Sequence, residues 1–169
     1  LEAAEAVCGQ GMSSPPAPGM KNSGASVLDM VASLVDRNLL ARQEMADGEP
    51  RFTMLETIRE FAHDQLRASG EDRDTKERHA AYYASLAEDA EAGMIGAEQE
   101  VWLDRLDAER NNVRTALEWT LNGEGTTTAG LRIAAALWRF WDTRGYGAEG
   151  RGWIERALER ATTSSAEMR

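Results

Sequence analysis

The residues able to do chemistry are few and scattered. Gly145-Tyr146-Gly147-Ala148-Glu149-Gly150 has the spacing of a dinucleotide-binding glycine loop. Such a loop needs a strand before it, a crossover helix after it and an acid about 20 residues on to hold the ribose. A helical pattern precedes this one and little chain follows it, so the match is rejected. No phosphate-binding P-loop pattern occurs anywhere. His63 and His79 stand alone, and Cys8 has no CxxC partner, so no metal-ligand spacing is present. The acid pairs Glu88-Asp89 and Glu98 with Glu100 read as solvated helix faces. No local Ser/His/Asp or Cys/His grouping points to a nucleophile. The chain reads as non-enzymatic, with no catalytic residue, cofactor or metal of its own.

The five tryptophans are the other chemically distinctive set. Trp102, Trp119, Trp138, Trp141 and Trp153 recur at helical spacing, which favours core packing between helices. Aromatic residues are also the common anchors of protein interfaces. Trp138, Trp141, Arg144, Tyr146 and Trp153 are therefore the candidate partner-binding set. Arg139, Arg144 and Arg151 are candidates for a basic rim facing an acidic partner.

Composition limits the classes. The 169 residues are 42% hydrophobic, enough for a packed core rather than a disordered chain. The net charge is −10. Residues 1–70 carry 6 basic and 10 acidic side chains, and residues 71–169 carry 13 and 19, so neither half is a hidden basic module. That balance argues against nonspecific binding to nucleic acid or to an acidic membrane. A single cysteine excludes an internal disulfide and fits a reducing, cytoplasmic setting. No apolar run approaches the roughly 20 residues of a membrane span. The start lacks a signal peptide and also lacks Met, so the chain reads as part of a longer cytoplasmic protein.

The elements that would position these residues fall into two groups, residues 1–70 and 71–169. In the first, residues 9–24 are rich in Gly, Pro and Ser and read as a flexible loop. Leu28, Val31, Leu34 and Val35 keep one helical face, with Ser26 as its N-cap. Two short runs, Leu39–Gln43 and Arg51–Met54, flank Asp47-Gly48 and predict a β-hairpin. Ile58, Phe61, Ala62 and Leu66 restart a helical period that Gly70 ends. Helix, hairpin, helix is the second half of a winged helix. Phe61 is expected to pack on the hairpin, with the other apolar residues directed toward the Tyr82-Tyr83 helix. The second group reads as antiparallel helices, with a frayed end from Thr162. Arg114-Thr115-Ala116-Leu117 resembles Glu155-Arg156-Ala157-Leu158 at an offset of 41 residues, near the period of helical repeats. The fold class is mostly α, a partial winged helix followed by a repeat-like helical arm.

Three segments carry a family resemblance: residues 1–8, Leu34 to Leu40, and Arg51 to Ala62. They resemble the winged-helix domain of bacterial STAND-type signalling ATPases, the NB-ARC relatives found in LuxR-like and AfsR-like transcriptional regulators. In that family the third segment holds a Met-His-Asp motif whose His senses nucleotide. Met54-Leu55-Glu56 stands in its place, with Leu for the His. The segment Leu137–Leu158 similarly resembles one tetratricopeptide unit, with Gly150 at its small-residue position. The resemblance implies a non-catalytic regulatory piece that couples an ATP-driven switch to a protein- or ligand-sensing arm. It implies an intramolecular nucleotide-binding domain and a protein partner. Two alternatives are a DNA-binding winged helix and the regulatory arm of a kinase or nucleotide cyclase. The helix at Ser26–Arg37 has one base, Arg37, against Asp29 and Asp36, so no direct nucleic-acid contact by this chain is expected. No membrane contact is expected either.

Overall fold

The computed structural model describes residues 1–9, 26–44, 50–122 and 125–167. The chain is mostly helical with one two-stranded antiparallel sheet. It divides into two compact units, Leu1–Thr75 and Lys76–Arg169. Apart from Gly9, the predicted loop at 9–24 lies outside the described residues, as does the Asp47-Gly48 turn.

The N-terminal unit begins with α1 (Glu2–Cys8) and α2 (Val27–Asp36), which pack on each other. A reciprocal cap starts α2. Asp29 N–H donates to Ser26 Oγ at 3.1 Å, and Ser26 N–H donates to the Asp29 carboxylate at 3.0 Å. Each bond satisfies an amide that a helix start leaves without a partner, a contribution of about 1 kcal/mol. Just past the Arg37 C-cap, Asn38 has a φ of 58°, in the left-handed region that Asn tolerates better than most residues. Strands β1 (Ala41–Glu44) and β2 (Pro50–Thr53) follow, pairing Ala41 with Thr53 and Gln43 with Arg51. The pair falls where the two short runs place it, displaced by one or two residues. Pro50 sits at the first position of its strand, where its missing N–H is tolerated. Helix α3 (Glu56–Ser69) stops at Gly70, in the left-handed conformation at φ 81°.

Burial in this unit is thin. Among its described residues only Val7 and Val27 are buried. Ile58, Ala62 and Leu66 are half-buried along one face of α3, but Phe61 is 64% exposed. This corrects the expectation that Phe61 packs on the hairpin. Helical spacing finds an apolar stripe but does not fix how far round the helix the cover extends.

The helical unit holds the main core. Helix α4 (Asp72–Gly93) starts in the first unit and carries most of its length into the second. It is followed by α5 (Gln99–Leu121), α6 (Thr127–Ala136), α7 (Trp138–Thr143) and α8 (Gly147–Glu167). Helix α6 packs on α5 and α8, and α8 also touches α7 and α5. Two glycines set the spacing. A β-carbon on Gly130 would meet Thr120 Oγ1 at 2.6 Å and Leu121 Cδ2 at 2.7 Å. One on Gly150 would meet Trp141 Cβ at 2.7 Å. Helices α6 and α7 are divided at Leu137, whose amide still bonds Ile133 C=O. On α5, Val101 is 66% exposed, while Leu103 is buried. The expected fraying from Thr162 is also corrected. Helix α8 runs to Glu167, and the Thr162 and Thr163 hydroxyls bond back to Glu159 C=O.

Two stability measurements follow. Phe61→Ala is expected to cost under about 1 kcal/mol, as for an exposed side chain. Gly150→Val is expected to cost about 1–3 kcal/mol, because Trp141 leaves no room for the added methyls. Urea denaturation of the two variants reads both, and a reversed order would contradict the burial described above.

Candidate nucleic-acid interface and the tryptophan-arginine cluster

In the N-terminal unit the helix preceding the wing is α2, and the wing is β1–β2. In helix-turn-helix proteins the second helix lies in the major groove while basic residues hold phosphates. Arg37, at the C-cap of α2, is exposed, as is Arg42 on β1. Arg51 on β2 is half-buried and faces the other side of the ribbon from Arg42, since Gln43 pairs with Arg51 and Arg42 with Phe52. From Ser26 to Glu44 and Pro50 to Thr53, three arginines match three acids, so the segment is neutral where the whole chain is −10. One of those acids, Asp29, is already committed to the α2 cap.

Met54-Leu55-Glu56 forms the entrance to α3. Met54 is half-buried, Leu55 is the exposed N-cap residue, and Glu56 pairs with Arg59 on the helix surface. His63 lies 3.8 Å from Asp72, at the start of the next helix. Among the described residues no group of His, Cys, Asp and Glu could hold a metal ion, and no helix is long and apolar enough to cross a membrane.

The five residues proposed for partner binding do not form one site. Trp141 and Trp153 are buried, and the Trp153 indole N–H points to Glu149 Oε1 at 3.5 Å. Arg144 and Tyr146, on the α7–α8 turn, face acids of α5. Arg144 approaches Asp107 Oδ2 at 2.9 Å and Glu100 Oε1 at 3.3 Å, and also pairs with Asp104. Tyr146 O–H donates to Asp107 Oδ1 at 3.0 Å. The Arg110 guanidinium lies 3.7 Å above the Tyr146 ring and bonds Glu149, which also pairs with Arg114 at 2.9 Å. Glu100, Asp104 and Asp107 are spaced four and three residues apart, so they share one face of α5. This is a structural interlock, and Arg144 is engaged in it rather than offered as a basic rim. Only Trp138 keeps substantial exposure, 48%, with Arg139 stacked 5.0 Å from its ring centre.

Sequence reading missed the polar cluster between α4 and α5. Tyr83 O–H donates to Glu109 Oε2 at 2.6 Å, and Asn112 donates to the same oxygen at 2.7 Å. The His79 ring lies 4.7 Å from that of Tyr83. Burial, reinforced by the bond to Glu109, holds the Tyr83 hydroxyl protonated well above the ordinary phenol range. Burial lowers the pKa of His79, and the Glu109 charge offsets part of that shift. The partners are 26 residues apart, and no local pattern announces such a pairing.

The first unit thus contains a helix, a two-stranded hairpin and a further helix, and the second unit is built of helices. Residues 19–67 match the family model for a winged helix-turn-helix domain. The chain is 34% identical over 134 residues to "Putative HTH-type transcriptional regulator Rv0890c" of Mycobacterium tuberculosis (strain ATCC 25618 / H37Rv), and equally to a protein of the same description in Mycobacterium bovis. The aligned part is 79% of this chain and 15% of each relative, so the chain spans a small part of the length of these relatives. No solved structure matches it significantly.

These matches overturn the expectation of no direct nucleic-acid contact. The winged helix-turn-helix match in this chain, together with relatives described as HTH-type transcriptional regulators, points to DNA binding. The expectation rested on the charge of the whole chain, whereas phosphate contact depends on the charge of the surface that meets the duplex.

The His79 environment gives a pH prediction. Its folded pKa lies below the ordinary value of 6.5, so the unfolded chain binds the proton more readily. The stability it contributes is complete above that value and is lost as pH falls from there toward the depressed one. The urea midpoint of the helical unit is expected to fall over that interval, and His79→Gln is expected to flatten the fall. An unchanged slope in the variant would assign the loss to other groups.

Proposed function

We infer that this chain is the winged helix-turn-helix module and adjoining helical arm of a transcriptional regulator, and that the module contacts DNA through α2 and the β1–β2 wing. The observation that carries the reading is the winged helix-turn-helix match over residues 19–67, on a segment folded as helix, two-stranded hairpin and helix. Arg37 and Arg42 are the residues assigned to phosphate, since both are exposed and they lie on the helix and the wing. Neither is a base-reading residue in this proposal, and the segment's neutral charge keeps the electrostatic contribution small.

In the longer protein, the module also couples a nucleotide switch to the helical arm, which serves as the sensing element. Support comes from the resemblance of residues 1–8, 34–40 and 51–62 to STAND-type regulators. The position of Met54-Leu55-Glu56 at the start of α3 adds to it.

Fluorescence anisotropy with a labelled mixed-sequence duplex at low salt tests the DNA contact. Saturable binding is expected, with log K falling against log salt at a slope of about 2, near 0.9 for each phosphate contact. Arg37→Ala and Arg42→Ala are each expected to weaken binding about fivefold and to reduce the slope by about 1. Absence of saturable binding, or unchanged affinity in both variants, would refute the assignment.

A further inference from the structure

We propose that the groove between α7 and α8 binds a small zwitterion with an apolar body, of the kind of an apolar or aromatic amino acid. The proposal deepens the reading of the helical arm as a sensing element by naming a ligand class. It is tested by binding to the helical unit, whereas that reading stands on coupling to a switch and the DNA contact on the winged helix, so each fails separately.

Two helix faces meet at this groove. Trp138, Trp141 and Asp142 of α7 are spaced three or four residues apart, so they share one face. Gly147, Arg151, Ile154 and Glu155 of α8 keep the same spacing and share another. Together they line a recess of about 640 Å³, within the size range of small-ligand sites. Gly150 closes its floor against Trp141, since a β-carbon there would meet Trp141 Cβ at 2.7 Å. Gly147 keeps its mouth open, since a β-carbon there would meet nothing within 4 Å. The exposed Trp138 ring and the half-buried Ile154 are its apolar walls.

The charges of the groove are uncommitted. Among the described residues, no hydrogen bond or ion pair engages the side chains of Asp142, Arg151 or Glu155, although Arg151 and Glu155 are one turn apart. All three are exposed. Charges on the side of these helices that faces α5 are instead paired. Glu149 holds Arg110 and Arg114, and Arg144 meets Glu100, Asp104 and Asp107. The groove thus offers two carboxylates and one guanidinium beside an indole and a branched apolar side chain.

These groups select among ligand charges. A simple cation would meet Asp142 and Glu155 but also Arg151, and Arg139, stacked 5.0 Å from the Trp138 ring centre, adds a second positive charge beside it. A simple anion would meet Arg151 against two carboxylates. A zwitterion pairs its ammonium with the carboxylates and its carboxylate with the Arg151 guanidinium, whose planar fork donates two parallel hydrogen bonds to such a group. Its apolar body then covers Trp138 and Ile154. Exposed charge pairs are individually weak, so selectivity comes from making contacts of both signs at once.

The test follows the Trp138 indole N–H of the complete chain by NMR, assigned with Trp138→Phe. L-phenylalanine and L-leucine are each expected to shift this signal saturably, with a dissociation constant below about 1 mM. Phenethylamine and 3-phenylpropionate each keep the phenyl body and one of the two charges, and each is expected to bind about tenfold more weakly than L-phenylalanine. Arg151→Gln is expected to weaken L-phenylalanine about fivefold while leaving phenethylamine no weaker. Asp142→Asn combined with Glu155→Gln is expected to weaken L-phenylalanine by a similar factor while leaving 3-phenylpropionate no weaker. All three residues are exposed, so these substitutions spare the core. The proposal is overturned by the absence of a saturable shift with both amino acids, by a single-charge analogue that binds as tightly as L-phenylalanine, or by unchanged affinity in both variants. A shift of the same signal on raising protein concentration without ligand would also overturn it, by placing a second copy of the chain in the groove.

Discussion

The helical unit depends on the close approach of helices at Gly130 and Gly150. Neither position has space for a β-carbon, because Thr120 and Leu121 occupy it at one and Trp141 at the other. Dispersion and apolar burial both fall off steeply with separation, so this proximity favours the burial of Ile133, Leu137, Phe140 and Trp141. The polar interlock then acts on helices already in place. Glu100, Asp104 and Asp107 meet Arg144 only because the turn at Gly145, with φ 77°, brings Arg144 and Tyr146 back toward α5. These pairs are partly exposed, and each is worth little alone. Their shared geometry fixes the orientation of the turn more than it adds to stability.

The two units differ in how their order is maintained. The helical unit buries large side chains from every one of its helices. The described part of the winged helix buries Val7 and Val27 and relies on local devices: the Ser26–Asp29 cap, the left-handed Asn38, the strand ladder and the Gly70 stop. Local devices specify conformation well but supply about 1 kcal/mol each, against an ordering cost of similar size for every residue. A module held in this way gains more from a bound partner than a fully packed domain does, since binding to the folded state alone stabilises it.

That difference also explains what the sequence made legible. The cap at Ser26, the strand pair and the stop at Gly70 were readable because each is a local pattern with a local cause. The antiparallel helices were readable from spacing and glycine breaks. The misplacement of Phe61 has a simple origin. Periodicity gives the axis of an apolar face, while its angular width depends on neighbours that lie elsewhere in the sequence. Arg144 reads as facing acids, and the acids it meets are those of α5, 37 to 44 residues away, which no local pattern identifies. The Tyr83–Glu109 bond left no pattern at all.

The nucleic-acid question shows the same distinction at the level of charge. A net −10 describes the average field seen from afar and governs solubility and long-range steering. Contact with a duplex is decided within about one Debye length, roughly 10 Å at 0.1 M salt. Over that range the relevant charges are those of α2 and the wing, where Arg37, Arg42 and Arg51 offset Asp29, Asp36 and Glu44. A neutral contact surface on an acidic protein yields few phosphate contacts and slow electrostatic capture. Under the proposed DNA contact, affinity therefore depends on how many such surfaces meet one duplex at the same time. Oligomerisation or a second DNA-contacting domain would raise the effective concentration of each winged helix at its site.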